Sequence, residues 1–427
     1  MTPRARALLI AILTAAAVWH LLALWGDERQ SSPKDSAGRD FASYYYAARA
    51  AAAGGDPYAP EDLAEEAAVD GLRRQVHPFF YPPPYLLVVA WAPATGLLEG
   101  FAIWRALDEL ATLLTGVLLA VWWQPLARRA GSAAAEVLVP AAVAVCLAGF
   151  YPVVYGHQMG QANFLVLGVT LAGLWLAERR PLLGGAAVGM ACMWKMSPAL
   201  FVAWWLLHRQ WRPALAAIGT AVLASVATLP VLGAAEQLRF YTEVLPGFGS
   251  GHYNGLTIRI DMFGNHSVPN LFEQLWPGDQ TRLTPPAQRA STAAALGLVA
   301  TLGAAFRRPP VDPLQRAGQI AALAATTLLL PVYTYEHHLV WAIPGVVVAV
   351  AGAVRGRLPA GFWPLIGFAV AAFAYPLPDL KALATDVLYG PSAWIAQEAK
   401  FFATAFVWAA CVWLGAVRPA EARTSAD

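Results

Sequence analysis

Charge is scarce in this chain. Only 13% of its 427 residues are Asp, Glu, Lys or Arg, against about 25% in soluble domains, so a water-soluble globular enzyme is the wrong starting picture. Cysteine is scarcer still. Cys146, Cys192 and Cys411 each sit inside an apolar run, with neither the even count nor the spacing of a disulfide or zinc framework, and they read as small buried hydrophobes. The 29 basic and 27 acidic residues leave a net charge of only +2, which gives no overall pull toward nucleic acid. Walker and Rossmann glycine patterns are absent. If the protein is an enzyme, its activated substrate is therefore not a cytosolic nucleotide sugar or ATP.

What is present is apolar: 58% of the residues are hydrophobic, gathered in long runs, the pattern of a polytopic membrane protein. The runs are Ala7 to Trp25, Phe101 to Trp123, Val137 to Val154, Asn163 to Ala177, Leu182 to Trp194, Ser197 to Leu207 and Ala214 to Leu232. Five more follow at Ser291 to Phe306, Gly318 to Pro331, Leu339 to Val354, Phe362 to Tyr375 and Phe401 to Val417. The first resembles a signal peptide but is long for one, and is expected to be a retained span. Several fall short of the ~20 residues that cross ~30 Å of hydrocarbon, notably the two halves on either side of Lys195-Met196-Ser197-Pro198.

The positive-inside rule decides how to count them. With the N-terminus inside and twelve spans, Arg128, Arg129, Arg179, Arg180, Arg307, Arg308, Arg355 and Arg357 all fall in the cytoplasm; merging the halves around Lys195 would put the last four outside. Tyr85 to Leu98 is apolar too, but counting it would expel Arg128 and Arg129. It is expected to be an outer juxtamembrane helix introduced by the rigid Tyr81-Pro82-Pro83-Pro84. The expectation is an all-α, single integral-membrane domain over 1–427, with about twelve transmembrane helices, outer juxtamembrane helices, and both termini cytoplasmic. Two large polar loops, 26–100 and 233–289, face the outer side. Of 27 acidic residues, 11 lie between Asp27 and Glu99, so the chemistry is expected there.

Asp40 opens an alanine-rich helix in Gly38-Arg39-Asp40-Phe41-Ala42-Ser43-Tyr44. An aspartate in that place is an N-cap or a general base meeting a membrane-bound substrate. Asp56, in Gly54-Gly55-Asp56-Pro57-Tyr58, reads as a turn residue. Arg105, Asp108 and Glu109, three and four apart, can neutralise one another on one helix face. Tyr151-Pro152-Val153-Val154-Tyr155-Gly156-His157-Gln158-Met159-Gly160-Gln161-Ala162-Asn163 clusters polar side chains at membrane depth, where unsatisfied groups are expensive. His157, Gln161 and Asn163 are accordingly candidates for a polar substrate pocket, against a helix-cap network. Lys195 lies between two apolar halves, so it either snorkels or meets a phosphate. The adjacent His337 and His338 point apart on a helix and do not form a metal site, for which His-x-x-x-His would be the spacing; a hydrogen-bonding or acid/base role fits one of them. Arg259, in a loop with His252, Asp261, Asn265 and His266, is a second candidate cation. Asn265-His266-Ser267 matches a glycosylation acceptor triplet.

Together these segments resemble glycosyltransferase family 87, of the C-type superfamily of polyprenyl-phosphate-sugar-dependent enzymes. The resemblance rests on Asp40-Phe41 with Tyr44 to Ala48, Gly55-Asp56-Pro57-Tyr58, Tyr81-Pro82-Pro83-Pro84, Gly160-Gln161-Ala162-Asn163, Lys195 with Pro198, and His337-His338. It implies transfer of a hexose, typically mannose, from a polyprenyl-phosphate donor to an outer-leaflet lipid or glycan acceptor, as in phosphatidylinositol mannoside mannosyltransferases. By analogy Asp40 is the catalytic base, and Tyr44, Tyr81, His157, Gln161, Asn163, Lys195, Arg259, His337 and His338 are substrate-binding residues. Phosphate leaves as a stable anion, so cations rather than a second carboxylate should assist it, with no cofactor and no metal. The location implied is a bacterial plasma membrane. The rival reading is a transporter or flippase of a lipid-linked sugar, also polytopic with polar groups at membrane depth. The large outer loop and the absence of a repeat between the halves favour the enzyme.

Overall fold

Apolar sequence with prolines at segment starts folds into helices. Proline at a first turn forfeits only an N–H that has no intrahelical partner, and it does so here at Pro60, Pro152, Pro181, Pro285, Pro313 and Pro344. A computed structural model describes residues 38–72, 75–127, 133–249, 259–278 and 282–417, with helical positions Ala11, Ala15 and Val18 ahead of them. The first expected span, Ala7 to Trp25, thus lies outside the described residues apart from those three positions, as do Arg128 and Arg129.

Every regular element among the described residues is helical. Helices of eight residues or more are α1 (Arg39–Ala52), α2 (Pro60–Val69), α3 (Leu97–Trp123), α4 (Ala133–Gly149), α5 (Tyr151–Met159), α6 (Asn163–Ala177), α7 (Pro181–Trp194) and α8 (Ala199–Leu207). They continue with α9 (Trp211–Thr228), α10 (Val268–Leu275), α11 (Pro285–Ala305), α12 (Pro313–Leu329), α13 (Ile343–Val354), α14 (Phe362–Ala374) and α15 (Ala399–Ala416).

By length and apolarity four helical stretches among the described residues can cross a membrane: Leu97–Ala127, Trp211–Thr228, Glu336–Val354 and Ala399–Ala416. Two bent pairs, Val137–Gly149 with Tyr151–Met159 at 51° and Phe362–Ala374 with Leu377–Val387 at 106°, raise the number to six. The chain is a polytopic membrane protein; about twelve spans were expected, and the described residues hold four to six that meet length and apolarity together. Several of the other apolar helices are short. α6 has 15 residues and α7 has 14, too few at 1.5 Å per residue for ~30 Å of hydrocarbon. The outward faces are those of helices against lipid. Leu107, Leu110, Leu114, Val117 and Val121 are exposed along α3, and Leu215, Ile218, Val222, Leu223 and Val226 along α9.

Inside the bundle, small residues let backbones approach. α7 packs between α6 and α9, and a Cβ at Gly185 would stand 2.2 Å from the Pro213 carbonyl oxygen and one at Gly189 2.3 Å from that of Ala217. A second sub-bundle packs α12 and α14 against α15. The expected juxtamembrane helix is a short Tyr85–Val89 helix and a 3₁₀ turn, Ala92–Ala94, which brings the chain into α3. The break at Lys195 is sharp: α7 ends at Trp194, Lys195 is extended, and α8 restarts after Pro198.

Candidate active site

Asp40 does not cap its own helix. Gly38 is the N-cap of α1, with no side-chain cap, and its carbonyl accepts from Ala42 N–H at 2.9 Å. Glycine is required by crowding, because a Cβ at position 38 would meet the Met159 carbonyl carbon at 2.5 Å. With the first turn of α1 packed backbone to backbone against the end of α5, the Asp40 carboxylate turns away. Gln161 Nε2 donates to its Oδ2 at 2.6 Å and His77 Nδ1 lies 3.4 Å from its Oδ1. The capping expectation is corrected accordingly.

Gln161 is delivered by the end of α5. Gly160 terminates that helix with φ +70°, a left-handed conformation that glycine adopts without penalty, and Trp104 Nε1 donates to its carbonyl at 2.9 Å. The next residue points its amide at Asp40 in one orientation only. Gln161 Oε1 accepts from Tyr81 at 2.9 Å and Tyr44 at 3.5 Å, and the two phenols lie 2.6 Å apart, so the NH₂ must face the carboxylate. Burial works to raise the Asp40 pKa, but the His77 contact, the basic neighbours and the Gln161 hydrogen bond outweigh it. The carboxyl is held below its ordinary range.

A second set is built around Lys195. Lys195 Nζ donates to Asn163 Oδ1 at 2.7 Å and stands 5.9 Å from the Tyr81 ring centre. Asn163 Nδ2 in turn donates to the His337 carbonyl at 2.9 Å, which ties the start of α6 to the 3₁₀ turn Glu336–Ala342. On that turn the histidines diverge, as adjacent residues must. His337 stacks on Tyr155 with centroids 6.1 Å apart and has a buried Nδ1 with no partner. His338 Nδ1 accepts from Tyr335 N–H at 3.0 Å.

These side chains line one cavity of about 790 Å³. Asp40, Tyr44, Tyr81, Gln161, Asn163, Lys195, His337 and His338 all reach it, and its remaining wall is largely apolar, with Leu200, Phe240, Phe248, Phe263, Leu328 and Leu377. Two expected members are elsewhere. His157 is buried outside the cavity, Nδ1 2.7 Å from Asp108 and Nε2 3.2 Å from Glu109, so those carboxylates engage a histidine across the helix pair, and its effect on the cavity is to anchor the end of α5. Arg259 is 57% exposed and paired with Asp261, two residues away in its own loop, and does not line the cavity. Asp56 is the turn residue expected: Oδ1 accepts Tyr58 N–H at 2.8 Å, and Arg239 pairs with Oδ2.

Two features escaped the sequence reading. His77 is one; its only signal was a lone titratable residue ahead of Pro78-Phe79-Phe80-Tyr81. The other is a wholly buried group in which Glu336 pairs with Lys400 and lies 3.2 Å from His266. Charges flanking apolar runs at positions 336 and 400 could have suggested such pairing. Asn265, in the glycosylation triplet, is 1% exposed, and its amide donates to the Ile260 and Val332 carbonyls, so its role is to tie the 259–270 loop to the strap before His337. Among the described residues no three His, Cys, Asp or Glu side chains converge as a metal-ligand set.

Glycosyltransferase family 87 matches residues 79–331, more than half of the chain. That stretch holds Tyr81, Gln161, Asn163 and Lys195, while Asp40 and the paired histidines flank it. The chain is 26% identical over 294 residues to a polyprenol-phosphate-mannose-dependent α-(1-2)-phosphatidylinositol mannoside mannosyltransferase of Mycolicibacterium smegmatis, covering 66% of this chain and 63% of that protein. It is 24% identical over 201 residues to the enzyme of the same description from Mycobacterium tuberculosis, covering 46% of this chain and 43% of the other. The chain thus spans less than two thirds of the length of these relatives. The chain belongs to glycosyltransferase family 87.

Proposed function

We propose that the chain transfers mannose from a polyprenyl-phosphate donor to an outer-leaflet lipid or glycan acceptor by a single inverting displacement. The observation that carries the reading is a half-buried carboxylate, Asp40, turned out of its own helix into a cavity that Lys195 also lines. Acceptor hydroxyl oxygen attacks the anomeric carbon, the bond from that carbon to the phosphate oxygen breaks with its electron pair, and Asp40 takes the hydroxyl proton. A carboxylate kept ionised is ready for that step at neutral pH.

Lys195, half-buried at the break after α7 and lining the cavity, is suited to offset the charge on the departing phosphate. His337, with a vacant ring nitrogen, and His338 complete that side. The apolar wall suits a polyprenyl chain. Tyr44, Tyr81 and Gln161 hold the base, and Asn163 holds Lys195. On this reading loops 26–100 and 233–289 face outward from the plasma membrane and both termini are cytoplasmic. The printed names of the two relatives support the donor and a lipid acceptor.

The test is mannose transfer from radiolabelled polyprenyl-phosphate-mannose by purified, reconstituted protein, comparing wild type with Asp40→Asn. Loss of turnover in Asp40→Asn with donor binding intact is the expected result. Equal turnover in both proteins removes Asp40 from the mechanism, and wild type inactive with every lipid-linked sugar and a broad acceptor extract overturns the reading.

A further inference from the structure

The proposed base has two oxygens held by different chemistry, and the difference assigns a role to a residue outside the reading above. Among the described side chains only Gln161 and His77 touch the Asp40 carboxylate. Gln161 is a neutral amide locked by Tyr44 and Tyr81. His77 carries a ring that can hold charge, comes from the extended segment ahead of Phe79, lines the cavity and is 27% exposed at its side chain against 16% for Asp40. Because a carboxylate only accepts hydrogen bonds, the His77 Nδ1 facing Oδ1 must carry the proton.

We infer that His77 is the positioning residue of the Asp40 base: its Nδ1–H, facing Oδ1, fixes the carboxylate plane toward the acceptor. The inference rests on Asp40 acting as the base. Burial penalises the charged carboxylate, and something must offset that without blocking the oxygens. The other charged or titratable groups facing Asp40 are more distant: Arg39 beside it on α1, Lys195 at the break after α7, Glu336, His337 and His338 on the 3₁₀ turn, and the phenols of Tyr44, Tyr81 and Tyr155. On the proposed reading Lys195 is engaged by the phosphate once donor binds, whereas His77 holds Oδ1 directly, at 3.4 Å. With two donors on two oxygens, the carboxylate cannot rotate freely, which is the condition for effective proton abstraction.

The sign of the effect follows. Transfer requires ionised Asp40, so kcat/KM falls as pH drops through the pKa of Asp40 in the free enzyme. His77 lowers that pKa and burial raises it. Without His77 the acid limb moves to higher pH, by about one unit or more for loss of a charged or strongly polar partner.

The experiment is the pH dependence of mannose transfer in reconstituted wild type, His77→Leu, His77→Asn and Asp40→Asn, with donor KM measured alongside. Asparagine places its Nδ2 near the position of the histidine Nδ1 and restores a donor. The expected result is an acid limb shifted upward and kcat lowered about 100-fold in His77→Leu, both largely recovered in His77→Asn, with donor KM unchanged in each. An unmoved limb in His77→Leu with Asp40→Asn inactive overturns the inference alone. If Asp40→Asn is as active as wild type, the base assignment falls and the inference falls with it. His77→Leu and His77→Asn failing together, with equal loss of thermal stability and no change of limb, reduces His77 to a structural residue.

Discussion

Gly160→Ala tests whether the joint between α1 and the end of α5 aims the base. Two costs combine at this position. The backbone is left-handed, with φ +70°, and an L side chain there costs about 1–2 kcal/mol. A Cβ would also sit 2.7 Å from the Phe41 Cβ and 3.0 Å from the Phe101 ring, where carbon atoms settle at about 3.5–4.0 Å. One element must give way by ~0.8–1 Å, the difference between those distances. Phe41 follows Asp40 directly and Gln161 follows Gly160 directly, so the movement separates the two ends of the 2.6 Å hydrogen bond between them. A misplacement of about 1 Å at a reacting group costs on the order of 100-fold in rate. The expected outcome is kcat for mannose transfer down about 100-fold, donor KM within a factor of about two, and stability lowered by about 2–3 kcal/mol. Gly219→Ala is the control. It lies inside α9 with nothing within 4 Å of its would-be Cβ, so alanine there is neutral or stabilising by about 0.5–1 kcal/mol. Thermal unfolding and transfer assays on both proteins in one lipid composition read the result. Gly160→Ala with full kcat despite a measurable loss of stability would refute the claim that this joint positions Asp40.

Two further substitutions probe the remainder of the site. Lys400→Met leaves Glu336 as a buried charge without its ammonium partner, so the protein loses about 3–5 kcal/mol, read as a lower midpoint of thermal unfolding; an unchanged midpoint contradicts the buried pair. Arg259→Ala removes only a solvent-screened ion pair with a neighbour in the same loop, and transfer activity and donor KM stay at wild-type values; a tenfold rise in donor KM would return Arg259 to the donor site.

The helical, membrane-bound character of the chain was legible because it depends on composition. Long apolar runs with little charge have few other solutions in water or lipid. The number of spans was less legible, for a reason visible in particular helices. Sidedness arguments count runs, whereas crossing requires continuous length. α4 and α5 form one apolar stretch in sequence, yet Phe150, extended between them, bends the path by 51°. The stretch after α14 turns by 106° at Tyr375–Pro376. The first bend does not alter hydropathy, and a window over the sequence passes across it; the second falls where the apolar run already ends, at Tyr375. Lys195 is the opposite case. A charge followed by Ser197-Pro198 announced a break, and the backbone is extended there.

For the site, legibility followed the difference between a residue's chemistry and its direction. Eight of the ten singled-out residues meet at the cavity, because polar groups at membrane depth must converge on one another or on a ligand. The two that do not, His157 and Arg259, were satisfied within reach of their own segments or the adjoining helix, and spacing cannot reveal which of two nearby partners a side chain prefers. Asp40 shows the same limit from the other side. An aspartate in a first turn usually turns back to cap it, and what prevents this is a glycine two residues earlier, pressed on the backbone of a segment about 120 positions away. The contact also explains why the aspartate and Gln161 occur in motifs that look unrelated in sequence. Gly38 and Gly160 remove side chains from both faces of one joint, and the residues two and one positions after them, Asp40 and Gln161, supply the carboxylate and the amide that fixes it. A carboxylate and its amide partner held by a backbone joint between distant segments are fixed relative to one another, so on the proposed reading the cavity can accept flexible lipid chains while the Asp40 oxygens stay in place.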